Sequence, residues 1–85
     1  MGEDLDTARR RLAMRSMRRG IKEMDLILSA YADAHLPKMG ADELAQYDAL
    51  LSENDQDLYT WVTGQVAPPP EFEGLISDIG AHFRP

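Results

Sequence analysis

Apolar residues recur at helical spacing along almost the whole of this 85-residue chain. The last third gives the clearest pattern, with large apolar side chains at i, i+3, i+4, i+7 and i+11: Phe72, Leu75, Ile76, Ile79 and Phe83. This spacing places the side chains on one face of a helix. No segment alternates apolar and polar residues as a strand does, and no internal repeat is present. The pattern predicts an all-α fold, a compact bundle of five short helices, in a single domain that spans residues 1–85.

Glycine and proline set the predicted limits of the first two helices. The first is expected from about residue 7 to residue 18, and Gly20 then ends or bends it, because glycine costs about 1 kcal/mol against alanine inside a helix. The second is expected from about residue 21 to residue 34. It should close there because Pro37 disfavours helical geometry at Leu36.

Capping residues set the limits of the later helices. Asp42 is the expected N-cap of the third, and Asn54 or Asp55 that of the fourth. Gly64 falls where a glycine commonly follows a helix end. Prolines 68–70 predict an extended connector before the last helix, since no helix continues through such a run.

Charge is divided unevenly along the chain. Up to Lys22 there are seven basic and three acidic residues, a net +4; the remainder has two basic and twelve acidic residues, a net −10. Gly20 lies where the sign changes. With a pI near 4.7, the whole chain is not a typical nucleic-acid binder, although the basic N-terminal arm keeps that class open.

Three interpretations fit the arm, whose arginines spread around the predicted first helix: Arg9, Arg10, Arg11 and Arg15. The face is solvated and neutralised by the acidic remainder, or it binds phosphate on nucleic acid or a cofactor, or it docks on an acidic partner. Tyr59 and Trp61 are likewise either core-edge residues or part of an interface, where such side chains are enriched.

The sequence does not predict an enzyme. It has no cysteine, no glycine-rich phosphate loop and no metal-ligand spacing. His35 and His82 are isolated in the sequence. We expect them near the C-terminal ends of helices, where an imidazolium interacts favourably with the helix dipole. No apolar run is long enough to cross a membrane, and the acidic first residues do not resemble a targeting signal. A cytoplasmic location follows as the expectation.

Two segments together resemble a known family. The run Arg19-Gly20-Ile21-Lys22-Glu23-Met24-Asp25 matches an R-G-x-x-E motif, and a D-x-D-L-Y-x-W segment starts at Asp55, followed by Gly64 and the prolines. At this spacing, over residues 9–70, the chain resembles the succinate dehydrogenase assembly factor 2 family, whose bacterial members are flavinylation factors.

The resemblance implies a function. Members are small five-helix chaperones, not enzymes, that bind the flavoprotein subunit of succinate dehydrogenase and, in bacteria, that of fumarate reductase. They promote covalent attachment of FAD to a histidine of that subunit and hold no stable cofactor themselves. A free monomer in the bacterial cytoplasm is the corresponding expectation. The alternative is an antitoxin-like or nucleic-acid-binding module that uses the basic arm.

The residues expected at the partner surface are those of the motif and its surroundings: Arg18, Arg19, Gly20, Glu23, Asp25, Tyr59 and Trp61. Without a side chain, Gly20 permits a close backbone approach. Arg19 has a planar donor fork for a carboxylate or phosphate, and Glu23, four residues on, is placed to orient it or to accept from the partner. No catalytic or metal-binding residue is predicted.

Overall fold

The computed structural model describes residues 3–83, which contain five α-helices and no strand. The helices are α1 (Leu5–Arg15), α2 (Lys22–His35), α3 (Ala41–Leu51), α4 (Asp55–Val62) and α5 (Glu73–Phe83). Short 3₁₀ turns at Leu36–Lys38 and Pro70–Phe72 follow α2 and precede α5. The prediction of an all-α bundle of five short helices is confirmed.

Helix α1 begins and ends earlier than the sequence predicted. It begins at Leu5 because the Asp4 side chain accepts a hydrogen bond from the Thr7 N–H at 2.7 Å, which satisfies a free donor of the first turn. It ends at Arg15, so residues 16–21 form a loop, named the α1–α2 loop below. Gly20 therefore lies outside any helix.

The expected change of geometry at Leu36 is wrong. Its φ of −54° and ψ of −42° are helical, and the chain continues into the 3₁₀ turn that contains Pro37. Leu36 is buried, and its carbonyl accepts from Arg9 Nε at 3.1 Å and from the Met39 N–H at 3.2 Å. Burial, the contact with Arg9 and the local turn bond together outweigh the steric preference of a residue before proline.

The caps of the later helices agree in part with those predicted from the sequence. Asn54 caps α4 by accepting from the Gln56 N–H at 2.8 Å, and Gly64 follows the helix with a φ of +82°, both as predicted. Asp42 is not the cap of α3. Gly40 occupies that position, and its N–H donates to Glu43 Oε1 at 3.1 Å.

All five helices contribute to one apolar core, in which α1 packs on α3 and α2 packs on α5. The predicted stripe of α5 is buried except at its end, where Phe83 is 48% exposed. Met14 and Met17 are also exposed, whereas Met24 and Met39 fill the core. Among the residues described, no helix has the length and apolarity that crossing a membrane requires.

Candidate functional site

The α1–α2 loop is anchored to the core at its first residue. Ser16 is fully buried, and its Oγ lies 2.7 Å from the Leu12 carbonyl and 2.6 Å from the Tyr47 hydroxyl. Burial also raises the pKa of the Tyr47 phenol above its ordinary value. Sequence reasoning missed Ser16, because a serine near a helix end is usually exposed.

The loop is anchored a second time at Arg19 and Gly20, both of which bind the carboxylate of Asp55. Arg19 Nε donates to Asp55 Oδ1 at 2.8 Å, and the Gly20 N–H donates to Oδ2 at 2.6 Å. The other two guanidinium nitrogens of Arg19 donate to the carbonyls of Arg15 at 2.9 Å and Leu51 at 3.1 Å. We call this arrangement of Arg19, Gly20 and Asp55 the loop clip.

The clip determines what the motif arginine and glycine can do. The side chain of Arg19 is only 11% exposed, and its donor fork is occupied within the chain, so it is not a free fork for a partner anion. A Cβ at Gly20 would lie 3.2 Å from Asp55 Oδ2, closer than most side chains tolerate. Gly20 thus permits the close approach of this carboxylate. Whether a partner also contacts Arg19 or Gly20 stays a prediction.

The side chains of Glu23 and Arg18 face solvent. Glu23, in the first turn of α2, is exposed, and its carboxylate makes no hydrogen bond or ion pair within residues 3–83. Asp55, not Glu23, orients Arg19. Arg18 is also exposed and has a φ of +57°. Asp25 is half-buried and accepts from Ser29 Oγ at 3.2 Å, so it is partly satisfied inside the chain.

Concave surfaces flank these exposed charges. An open depression of about 310 Å³ lies at the loop clip, and Met17 and Arg18 line part of it. A second groove of about 240 Å³ runs from Glu23 and Leu26 to the end of α5 at Phe83. Leu26 is 65% exposed. Exposed apolar side chains within a polar rim recur at protein interfaces.

Tyr59 and Trp61 belong to the packing of α4. Both are half-buried and pack against the core, and the Trp61 ring lies 6.3 Å from that of Phe72, measured between centroids. This contact joins α4 to the turn before α5. Both side chains therefore contribute to the packing of α4 on the core. Their expected role at a partner surface stays a prediction.

The basic arm is mostly committed to ion pairs and carbonyls within the chain. Arg11 pairs with Asp48 at 3.0 Å and with Glu3 at 2.8 Å, and Arg15 pairs with the same Asp48 carboxylate. Hydrogen bonds from Arg11 hold the pKa of Asp48 below its ordinary value of 3.8.

Arg9 is committed in the same way, although it lies on another side of α1. It donates to the carbonyls of Leu36 at 3.1 Å and Met39 at 2.9 Å. With the Arg11, Arg15 and Arg19 contacts above, four of the seven cations up to Lys22 therefore bind acceptors inside the chain. Neutralisation by the acidic remainder, the first of the three interpretations, accounts for Arg11, Arg15 and Arg19, whereas Arg9 binds backbone carbonyls.

The two histidines are not isolated in space. The His35 ring stacks on the buried Tyr31 ring with centroids 4.3 Å apart, and His82 meets both rings edge-on, its centroid 5.3 Å from that of His35. Burial raises the pKa of Tyr31 to about 12. Sequence reasoning missed this cluster, because α2 and α5 are far apart along the chain. In the described part of the molecule, no group of three or more His, Cys, Asp or Glu side chains is placed to hold a metal ion.

Comparison of the sequence with known proteins finds a matching family and close relatives. The sequence profile described as "Flavinator of succinate dehydrogenase" matches residues 10–83. The chain is 52% identical over 82 residues to the mitochondrial succinate dehydrogenase assembly factor 2 of Penicillium rubens, which aligns with 92% of this chain and 26% of that protein. It is 48% identical over 73 residues to the same factor of Candida glabrata, with 84% and 48% aligned.

These relatives bear on two earlier points. The chain spans between about a quarter and a half of their length. The expectation of a bacterial, cytoplasmic protein is wrong, because the relatives named here are fungal and are described as mitochondrial.

Proposed function

Since this chain belongs to the succinate dehydrogenase assembly factor 2 family, we propose that it binds the flavoprotein subunit of that enzyme and promotes covalent attachment of FAD to a histidine of the subunit. The profile match over residues 10–83 is the observation that carries this proposal. It covers the α1–α2 loop and every helix from the middle of α1 onward.

The geometry of the loop region supports docking on a protein. Glu23 and Arg18 are charged, exposed and unpaired within residues 3–83, and Leu26 and Met17 expose apolar surface beside them. An interface commonly combines apolar contacts with a few charges that fix orientation. Glu23 is the motif residue best placed to meet the partner directly, whereas Arg19 and Gly20 act through the shape of the loop.

The proposed mechanism is that of a chaperone and not of an enzyme. The chain binds one conformation of the flavoprotein more tightly than the others and so raises its population. The bond to FAD then forms within the flavoprotein. FAD is accordingly a group held by the partner, and this chain needs no stable cofactor of its own.

Mitochondria are the proposed location, since the fungal relatives carry that designation in their names. Fumarate reductase as a second client and a monomeric free state remain predictions.

Deletion of the gene tests the proposal. The succinate dehydrogenase flavoprotein is denatured, separated on a gel and scanned for flavin fluorescence, which detects only covalently bound FAD. We expect the signal to fall strongly in the deletion strain and to return when the wild-type chain is supplied. Unchanged covalent flavin after deletion would overturn the proposal.

The alternative, a nucleic-acid-binding or antitoxin-like module, is less well supported. It needs a face of free cations, and four of the seven cations of the arm already bind acceptors inside the chain. Nothing in the geometry of the described residues favours it over protein docking.

A further inference from the structure

The α1–α2 loop presents only two of its residues freely, because it is fixed on both sides of them. Ser16 is held by Tyr47 on one side, and Arg19 and Gly20 are held by Asp55 on the other. Between these anchors lie Met17, which is 44% exposed, and the exposed Arg18. The loop clip therefore gives Arg18 a defined position on the surface.

Arg18 has an unfavourable backbone conformation. Its φ of +57° is the only positive φ at a non-glycine residue within 3–83. A residue with a side chain is disfavoured in the left-handed region, and glycine or asparagine is the usual occupant. Strain of this kind commonly marks a functional residue when the fold itself gains nothing from the side chain.

The fold gains nothing visible from the Arg18 side chain. Its guanidinium makes no hydrogen bond and no ion pair within residues 3–83, whereas the neighbouring Arg15 and Arg19 are both committed to carboxylates. Lys22, four residues further along the chain, is also exposed, and its ammonium makes no hydrogen bond or ion pair within residues 3–83. Arg18 thus places a free positive charge at the depression beside the loop clip.

We propose that Arg18, and not the motif residue Arg19, is the arginine that contacts the flavoprotein, and that its guanidinium binds a carboxylate on that protein. The inference rests on the proposed function and deepens it by naming the contact and the charge of its counterpart. Arg19 is a positioning residue that acts through Asp55. The choice of a carboxylate follows from charge: free cations on an otherwise acidic chain complement an acidic patch, which steers the encounter and fixes orientation.

Substitutions at Arg18 separate docking from folding. Glycine or asparagine accepts the left-handed conformation, so Arg18→Gly and Arg18→Asn remove the guanidinium without adding strain. We expect both variants to melt at or above the wild-type temperature, and to bind the purified flavoprotein subunit at least roughly tenfold more weakly. Lys38→Asn, which removes one exposed positive charge beyond the opposite end of α2, is the matched control and should bind normally.

Two further measurements identify the counterpart. The affinity is measured with FAD-free and FAD-loaded flavoprotein, and at two salt concentrations. A carboxylate counterpart predicts the same loss with both forms, and a weaker salt dependence for Arg18→Gly than for the wild type. A loss confined to the FAD-loaded form would assign the contact to a phosphate of FAD and overturn the proposal.

The outcomes also distinguish this inference from the proposed function. If the wild-type chain binds the flavoprotein and Arg18→Gly binds equally well, only the role of Arg18 is overturned. If the wild-type chain fails to bind, the proposed function is wrong and the assignment of Arg18 is wrong with it.

Discussion

Asp55 is the residue on which the α1–α2 loop depends, since its two carboxylate oxygens accept from Arg19 and from the Gly20 N–H. The Arg19 and Asp55 side chains are 11% and 17% exposed, so water competes weakly for these bonds. Removal of one partner leaves the other poorly solvated and unpaired, which costs more than the pair contributes by its presence.

Asp55→Asn is therefore expected to lower the free energy of unfolding by about 1.5–3 kcal/mol, the range for hydrogen bonds to charged groups. Asp57→Asn is the matched control. Asp57 lies in the same first turn of α4, and its carboxylate is exposed, so the change should be within about 0.5 kcal/mol. Urea unfolding of both variants measures the difference. Equal effects would show that the clip contributes nothing specific.

Gly20→Ala tests the close approach at the clip. The added Cβ would lie 3.2 Å from Asp55 Oδ2, so the carboxylate has to move and its bonds weaken. We expect a loss of about 1–2 kcal/mol in the wild-type background. In an Asp55→Ala background the same substitution should cost almost nothing, because the atom it meets is absent. Additive effects in this double-mutant cycle would contradict the direct contact.

Glu23→Ala separates a docking residue from a structural one. Because the Glu23 carboxylate is exposed and unpaired within 3–83, stability should change by no more than about 0.5 kcal/mol. Complex formation with the flavoprotein, measured by pull-down, should nevertheless fall. Full retention of the complex would remove Glu23 from the docking surface.

At the scale of elements, charge pairs join α1 to α3. Arg11 and Arg15, one helical turn apart on α1, both bind Asp48 on α3. The pKa of Asp48 is lowered in the folded chain, so the carboxylate stabilises the fold above its ordinary value of 3.8, and this contribution is lost as the pH falls below that value.

Asp48→Asn should therefore change the acid dependence of stability. We expect the variant to be less stable than the wild type at about pH 7, and the gap to shrink at about pH 3, where Asp48 is protonated in the unfolded chain and its lowered pKa no longer contributes in full to stability. Urea unfolding at the two pH values measures it. A gap that is the same at both values would show that the ionised carboxylate is not the cause.

Helix α4 links the loop clip to the rest of the core. Its first residue, Asp55, holds the loop, and Trp61 near its end packs beside Phe72. The Asp-x-Asp-Leu segment and the Arg-Gly motif, 35 residues apart, are thus two halves of one structure. We therefore expect a change in the packing of α4 to displace the clip, and with it the neighbouring Arg18.

At the scale of the whole molecule, part of the basic arm pairs with the acidic remainder of the chain. Basic residues of the N-terminal arm pair with Asp48 of α3 and Asp55 of α4, and these two carboxylates offset half of the arm's net +4. The cations left without a hydrogen bond in the described part of this arm are Arg10, Arg18 and Lys22.

This distribution predicts weak binding to nucleic acid. Three free cations release few counterions, so any affinity for a duplex DNA probe should be low and should have a slope against log salt no steeper than about −3. Fluorescence anisotropy at several salt concentrations measures it. A slope of −6 or steeper would require the committed arginines to leave their ion pairs, and would revive the nucleic-acid alternative.

The sequence alone determined the helical content, most of the helix limits and the family, because these depend on local periodicity, caps and short motifs. Asn54 and Gly64 were found in this way. It also marked Gly20 as exceptional, although for the wrong physical reason, since that glycine lies in a loop and not inside a helix.

Only the tertiary structure decided which motif residues face inward. Arg19 is bound by Asp55, which is 36 residues away, and no local pattern reveals such a pair. The same holds for Ser16 with Tyr47. Whether an arginine is free or bound inside the chain depends on the residues that pack against it. Here Arg19 is bound to Asp55, and Arg18 and Glu23 remain exposed.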